Sequence, residues 1–185
     1  FDIHRLEKDL NNSVPVIEDA CQAHGSTING QKAGSLAEIA VFSFYPTKNL
    51  GGVGDGGGIV TRSKSLDTTV RLIRMYGMRD KDHIELNGIN SRLDEIQAAI
   101  LRLKLPTLDK KNAIRNKIAT YYQQNLNPEF VHCQKVSDNV VSNYHVFSVR
   151  IPRYRDELMR YLTEKEIQTN VYYLMPIPYQ KANQH

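Results

Sequence analysis

Ile39-Ala40-Val41-Phe42-Ser43-Phe44-Tyr45-Pro46-Thr47-Lys48 is an apolar run that stops at a turn and a lysine. A short apolar run rich in β-branched and aromatic residues, closed by a proline, reads as a buried strand. Upstream, Val14-Pro15-Val16-Ile17 is a second such run, and it ends abruptly at Glu18-Asp19. Downstream, a glycine-rich stretch from Gly51 to Gly58 feeds a third strand, Gly58-Ile59-Val60-Thr61. Helical patterns lie around these strands, so the fold class is α/β. In an open α/β sheet, ligands sit beyond the carboxyl ends of the strands. Asp19 and Lys48 stand at two such ends, where a carboxylate and an amine can share one cleft.

Working outward, residues 2–12 form the tail of an amphipathic helix, with Ile3, Leu6 and Leu10 on one face. Asn29-Gly30 is a turn signal between Thr27-Ile28 and Gln31-Lys32 and predicts a small hairpin. Ser65 is the expected N-cap of a helix over 66–75, with Gly77 as its stop. Residues 78–91 are polar and irregular and read as a loop. Arg92 to Lys104 is periodic in Leu93, Ile96, Ile100 and Leu103, and Pro106 breaks it. Thr107 opens a long helix to about Leu126. Beyond Asn127-Pro128 the character changes: a strand over 144–151, a helix over 155–165 and a strand over 169–173 describe a separate small α/β unit. The division is therefore 1–126, part of a large domain, and 127–185, part of a small one. A start without Met, inside a helix, and an end without a terminating pattern are expected of a piece of a longer chain.

Composition narrows the function classes. The 185 residues are 41% hydrophobic and 24% charged, which suits a globular domain with a packed core. The formal net charge is +4, but the basic residues are interleaved with acids and not clustered, which argues against a nucleic-acid tail or a membrane patch. Cys21 and Cys133 form no CxxC and no disulfide framework, so a reducing, cytoplasmic setting is expected. No stretch is long and apolar enough to span a bilayer. His4, His24, His83, His132, His145 and His185 lack metal-ligand spacing, and no metal site is expected. The run Gly51 to Gly58 lacks the GK[ST] ending of a P-loop and the GxGxxG register before a helix, and reads as a turn into a strand.

A lysine and an acid at neighbouring strand ends are the pair that pyridoxal phosphate uses. The amine forms an imine, and the acid keeps the pyridine nitrogen protonated so that the ring can take up electrons. Each residue has a plainer reading as well. Lys48 as an isolated lysine is a solvated surface residue, and Asp19 is a helix N-cap for Ala20-Cys21-Gln22. Residue chemistry alone reaches a cleft with a lysine and an acid, not a reaction.

The reaction comes from a resemblance. Val16-Ile17-Glu18-Asp19-Ala20-Cys21-Gln22-Ala23-His24-Gly25 and Phe42-Ser43-Phe44-Tyr45-Pro46-Thr47-Lys48-Asn49-Leu50-Gly51 resemble two hallmarks of the DegT/DnrJ/EryC1/StrS nucleotide-sugar aminotransferases. Gly54-Asp55-Gly56-Gly57 and the segment from Gly88 to Ile100 are similar to that family's next two blocks, in the family's order. The resemblance implies the pyridoxal-phosphate-dependent transferase fold of type I, aspartate aminotransferase-like, and a homodimer with shared active sites. It implies that Lys48 is the imine lysine, that Asp19 partners the pyridine nitrogen and that Gln22 lies against the cofactor ring. Ser43 binds the cofactor phosphate, Asn90 reaches the phosphate of the neighbouring subunit's cofactor, and Arg92 lies near the substrate. Residue chemistry leaves alternatives at these positions: a backbone bond for Ser43, a surface role for Gln22, an N-cap for Asn90.

The implied reaction moves an amino group from an amino acid, glutamate being expected, to a keto-sugar carried on a nucleotide diphosphate. Asn90 to Asp94 with Ala99 to Lys104 is similar to the branch acting on dTDP-3-keto-6-deoxyhexoses. A 4-keto sugar is the alternative within the family. Pro178 in Tyr173-Leu174-Met175-Pro176-Ile177-Pro178-Tyr179-Gln180 stands where many members carry His. A non-catalytic member that binds cofactor or nucleotide sugar for regulation is the alternative outside enzymology, and a Gly-rich nucleotide-binding module is a third.

Overall fold

The structure is a computed structural model that describes residues 3–11 and 13–183. The chain separates into two compact units, Phe1–Asn125 with Gln134–Ser148, and Leu126–Cys133 with Val149–His185. The first of these boundaries follows Asn125, and the sequence changes character beyond Asn127-Pro128. The return of 134–148 to the first unit carries no such signal.

In the first unit, helix α1 (Ile3–Asp9) precedes strand β1 (Ile17–Asp19). Asp2 and Asn12, the ends of the helix read from sequence, lie outside the described residues. The hairpin β2 (Thr27–Ile28) and β3 (Gln31–Lys32) turns at Asn29 and Gly30, whose φ values of 50° and 78° are those of a type I′ turn. Strand β4 (Ile39–Ser43) pairs in parallel with β1 and antiparallel with β5 (Gly57–Thr61), giving a mixed sheet in the order β1-β4-β5. Register decides which side chains share a face. Ile17 lies beside Ile39, Asp19 beside Val41, and Ser43 beside Gly57. With the two-residue side-chain period of strands, Asp19, Val41 and Ser43 point to one face while Glu18, Ala40 and Phe42 point to the other.

The face of Glu18 is covered. Ile3, Leu36 and Ala37 form one buried cluster there, with Val16 and Ile28 against it, while Leu50, Leu101 and Leu108 form another with Phe44 and Leu93. The face of Asp19 is open in this chain, with Ile17 64% and Ile59 49% exposed.

Helix α2 (Lys64–Ile73) is capped by Ser63, whose Oγ accepts the Leu66 N–H at 3.3 Å, so the cap lies two residues before the predicted Ser65. The segment 78–91 is not wholly irregular. Strands β6 (Met78–Asp80) and β7 (His83–Ile84) form a bulged hairpin. Helix α3 (Glu95–Lys104) starts later than Arg92: residues 91–93 are not helical, and Asp94, in extended conformation, is its N-cap. A turn of 3-10 helix at Leu105–Thr107 holds Pro106, and α4 (Leu108–Asn125) follows.

Strand β8 (His132–Cys133) belongs to the second unit, and β9 (Val140–Val141) joins the first by pairing with β2. The strand expected over 144–151 shrinks to β10 (Val149–Arg150), paired with β8. The Asn143 and Tyr144 N–H groups are spent on the Ser26 and Ser142 hydroxyls, and Tyr144 takes φ 42°, which no strand can use. Helix α5 (Arg155–Glu164) forms as expected. Residues 169–173 form no strand, since they pair with no other segment among the described residues.

Candidate active site

The parallel pairing of β1 with β4 puts Asp19 and the Lys48 turn at the same end of adjacent strands. After Asp19 the chain turns and does not begin a helix. The ladder continues through Ala20 N–H to the Val41 carbonyl at 2.9 Å, and Asp19 Oδ1 accepts the Cys21 N–H at 3.0 Å. Bonds from the Cys21 thiol and N–H hold the Asp19 carboxyl below the usual carboxylate range against the opposing effect of burial, and the Lys48 charge adds to this. Asp19 is therefore ionised at neutral pH. Burial, with Asp19 beside it, pushes the Cys21 thiol up.

Lys48 closes a turn in which its N–H donates to the Tyr45 carbonyl at 2.9 Å. The turn is tight because Gly51 passes over it: a Cβ added at Gly51 would lie 2.5 Å from the Pro46 carbonyl oxygen. No side chain fits there. Gly52 and Gly54 pack against Gln97 of α3. Gln97 Oε1 accepts the Val53 N–H at 2.8 Å, and a Cβ at Gly54 would lie 2.7 Å from Gln97 Nε2. Lys104 Nζ donates to the Gly51 carbonyl at 2.7 Å. These glycines serve close packing of a turn into β5.

The Lys48 charge acts on Asp19, Cys21, His24 and His145, which marks these residues as one group around the amine. His24 is 3% exposed between Phe42 and Phe44, with ring centroids at 5.2 and 6.1 Å. Neither of its ring nitrogens has a hydrogen-bond partner. Burial pushes its pKa down, and the charges of Lys48 and His145 push the same way. The Ser43 backbone opposes this from outside ordinary hydrogen-bond geometry. A cavity of about 510 Å³ lies on this covered face, lined by His24, Phe42, Phe44, Leu50 and Leu108 among others. It is not lined by Asp19 or Lys48, so charge and register, and not this cavity, mark that pair.

Ser43 lies on the Asp19 face; its Oγ accepts the Tyr45 N–H at 3.3 Å, which leaves its own proton for an anion. The Gln22 side chain is exposed, while its carbonyl accepts from Asn143 Nδ2 at 2.9 Å. Asn90 and Arg92 are not drawn into the group around Lys48. Both are exposed, and Arg92 Nε donates to Asn90 Oδ1 at 3.0 Å. The N-cap reading of Asn90 fails, because α3 begins after Asp94 and Asn90 instead forms a bridge with Met75. Residues that sequence reasoning missed are Cys21, Asn49, Asn112, Asn143 and His145. Asn49, next to Lys48, was the one with a positional signal.

An α/β chain with an ionised aspartate and a lysine at adjacent strand ends has the groups of a cofactor-dependent transferase. The DegT/DnrJ/EryC1/StrS aminotransferase family matches residues 2–185, and the chain belongs to that family. It is 45% identical over 180 residues to the dTDP-3-amino-3,6-dideoxy-alpha-D-galactopyranose transaminase of Aneurinibacillus thermoaerophilus, covering 97% of this chain and 49% of that protein. It is 44% identical over 165 residues to a pleiotropic regulatory protein of Geobacillus stearothermophilus, covering 88% of this chain and 44% of that protein. The crystal structure of S. venezuelae DesV in complex with a ketimine intermediate superposes with a TM-score of 0.93 at 37% identity, over 99% of this chain and 50% of that one. The chain thus spans about half the length of the relatives it matches. Transaminases among its relatives carry both dTDP- and UDP-linked sugars in their names. The fold is that of the pyridoxal-phosphate-dependent sugar aminotransferases, and the family depends on that cofactor. The residues here fit it: an amine for its carbonyl carbon, an ionised carboxylate for its ring nitrogen, and a hydroxyl with a free proton for its phosphate.

Proposed function

We propose that this chain carries the lysine-bearing part of an enzyme that moves an amino group from an amino acid, glutamate by preference, to the keto-sugar of a nucleotide-diphosphate sugar. The observation that carries the reading is the register of β1 on β4, which brings Asp19 and the Lys48 turn to one sheet end. Pyridoxal phosphate, when bound, supplies an electron sink for breaking the bond to the amino-acid α-hydrogen. Lys48 would hold the cofactor through its amine, and its free amine would move the proton from and to the substrate carbon. Asp19, ionised, keeps a proton on the ring nitrogen opposite it. Ser43 and the exposed Gln22 bind the phosphate and the ring edge.

The substrate reading is a dTDP-3-keto-6-deoxyhexose, supported by the 45% identity to a transaminase named for a 3-amino-3,6-dideoxy sugar. Asn90 and Arg92, exposed and paired away from Lys48, suit a role toward a second copy of the chain and toward substrate, so the working unit is a homodimer. The setting is the cytoplasm, where nucleotide sugars are made. Among the described residues no helix is long and apolar enough to cross a membrane. A second reading, a regulatory member without turnover, is favoured by the likeness to the Geobacillus regulatory protein.

The test uses the full-length protein with pyridoxal phosphate, glutamate and a panel of dTDP- and UDP-linked 3-keto and 4-keto sugars, with product masses read out. Aminated dTDP-sugar is expected, and Lys48→Ala should lower turnover by about three orders of magnitude or more while abolishing the visible absorption band. Unchanged turnover in that variant would sink the Lys48 assignment. A band that forms but never shifts with glutamate would favour the regulatory reading.

A further inference from the structure

We infer that His145 is a positioning residue for Lys48, acting through the side chain of Asn49. The inference rests on the role given above to Lys48 and adds how its backbone is held. Asn49 follows Lys48 directly, so what fixes its side chain fixes the turn from which the lysine extends. The Asn49 amide is held from three sides. Its Nδ2 donates to Asn112 Oδ1 on α4 at 2.9 Å and to the Asn143 carbonyl at 2.9 Å, and its Oδ1 faces His145 Nδ1 at 3.0 Å. Both amide hydrogens are thereby used on oxygens, which fixes the amide's orientation. An oxygen can only accept, so the proton between the two side chains belongs to His145 Nδ1. Burial, Lys48 and Arg115 all oppose a charge on that ring, and a neutral ring has one N–H, which is spent on Asn49.

The same cluster grips the turn after Asp19. Asn143, 4% exposed, donates from Nδ2 to the Gln22 carbonyl at 2.9 Å and the His24 carbonyl at 3.1 Å, and its Oδ1 accepts the His145 backbone N–H at 3.2 Å. Asn112, 7% exposed, donates to the His24 carbonyl at 2.8 Å. Asn116 Nδ2 donates to the Asn112 and Ser142 carbonyls at 3.0 and 2.7 Å. One buried polar network thus spans residues 22–24, which follow the acid, and residue 49, which follows the amine. Satisfied networks of this kind rigidify what they hold, and a two-point grip on a cofactor depends on the spacing of its two points. His145 is the member whose donor can be removed or restored by small substitutions.

The test compares His145→Asn and His145→Gln in the full-length protein with its cofactor. The Asn amide nitrogen falls near the place of Nδ1 and keeps the donor to Asn49, whereas Gln carries its nitrogen one bond farther and loses it. His145→Gln should lower kcat about tenfold or more with KM for both substrates within about twofold, since misplacement of a reacting group acts on turnover. It should also reduce the visible circular dichroism per bound cofactor, which reports how the chromophore is held. His145→Asn should stay close to the parent in both. Equal behaviour of the two variants, or a His145→Gln protein with parental kcat and dichroism, overturns the inference. A double-mutant cycle gives a second route that does not depend on any one variant folding well. Adding His145→Gln to Asn49→Ala should cost nothing further, because the intermediary is already gone, and additive losses overturn the inference. Lys48→Ala serves as the control. A visible band surviving there would remove the reading of Lys48 itself. Its loss there, beside a parental His145→Gln, would remove only the role of His145.

Discussion

Glu18 and Asp19 are neighbours in one strand and carry the same charge, and the two faces of the sheet use them in opposite ways. Glu18 points to the covered face, where it is 6% exposed and accepts the Gly34 N–H at 2.6 Å and the Leu36 N–H at 3.0 Å. Its carboxylate ties down the loop before β4. Asp19 points to the open face, where its bonds go to Cys21 of the turn and leave lone pairs free. The difference teaches that on a strand a single residue step separates an acid spent on backbone groups from one left open for the role proposed for it. It also predicts that the two carboxylates fail differently when removed.

The largest effect should come from the open face. Asp19→Asn keeps an oxygen for the Cys21 N–H, so the turn survives. What is lost is the anion opposite the cofactor's ring nitrogen. Turnover should fall by about a thousandfold, roughly 4 kcal/mol in the barrier, with the thermal midpoint nearly unchanged. Steady-state kinetics beside a melting curve checks both halves. A variant that melts early and retains turnover would reverse the assignment of the two faces.

The covered face should give the mirror result. Glu18→Ala leaves the Gly34 and Leu36 N–H groups without their acceptor, at a cost of about 2–3 kcal/mol in stability. Chemical denaturation of the full-length protein measures it. Turnover per folded molecule should stay near that of the parent. Loss of turnover with intact stability would place Glu18 in the site and dissolve the contrast.

How much of this contrast is legible in sequence depends on the range of the interactions involved. Strand ends at Asp19 and Lys48 follow from apolar runs that stop at charges. The Asn29-Gly30 hairpin follows from backbone chemistry at two residues, and both kinds of signal are local. The partners of Glu18 lie sixteen and eighteen residues away and are backbone groups, which no side-chain pattern announces. The network around Asn49 joins residues up to 121 positions apart through asparagines, a residue type that marks turns as readily as buried clusters. The same network explains why 144–151 misled. The alternation there is that of a strand, but Asn143, Tyr144 and His145 are engaged by Ser26, Arg115 and Asn49. The family blocks made Lys48 and Asp19 readable as chemistry. They carried no information about what braces them.

The smallest effect sharpens the comparison from beneath the sheet, at His24. Its ring is buried on the covered face with both nitrogens unpartnered, and its pKa is pushed below the ordinary histidine value of about 6.5. His145 is shifted the same way. In the unfolded chain both rings bind a proton near that ordinary value, and in the folded chain only at lower pH. The unfolded state therefore holds more protons in the window below about 6.5, so the stability is fully present above that pH and is lost progressively as pH falls. His24→Leu removes one of the two groups and replaces an unpartnered polar ring with an apolar side chain. At pH 7.5 the melting temperature should change little, since no hydrogen bond is lost. Between pH 7.5 and 5 the decline should be shallower than in the parent by up to one proton's linkage. A series of melts across that range reads the slope directly. Parallel curves for the two proteins would mean that His24 charges as easily folded as unfolded, and that the covered face is wetter at the Lys48 turn than its packing indicates.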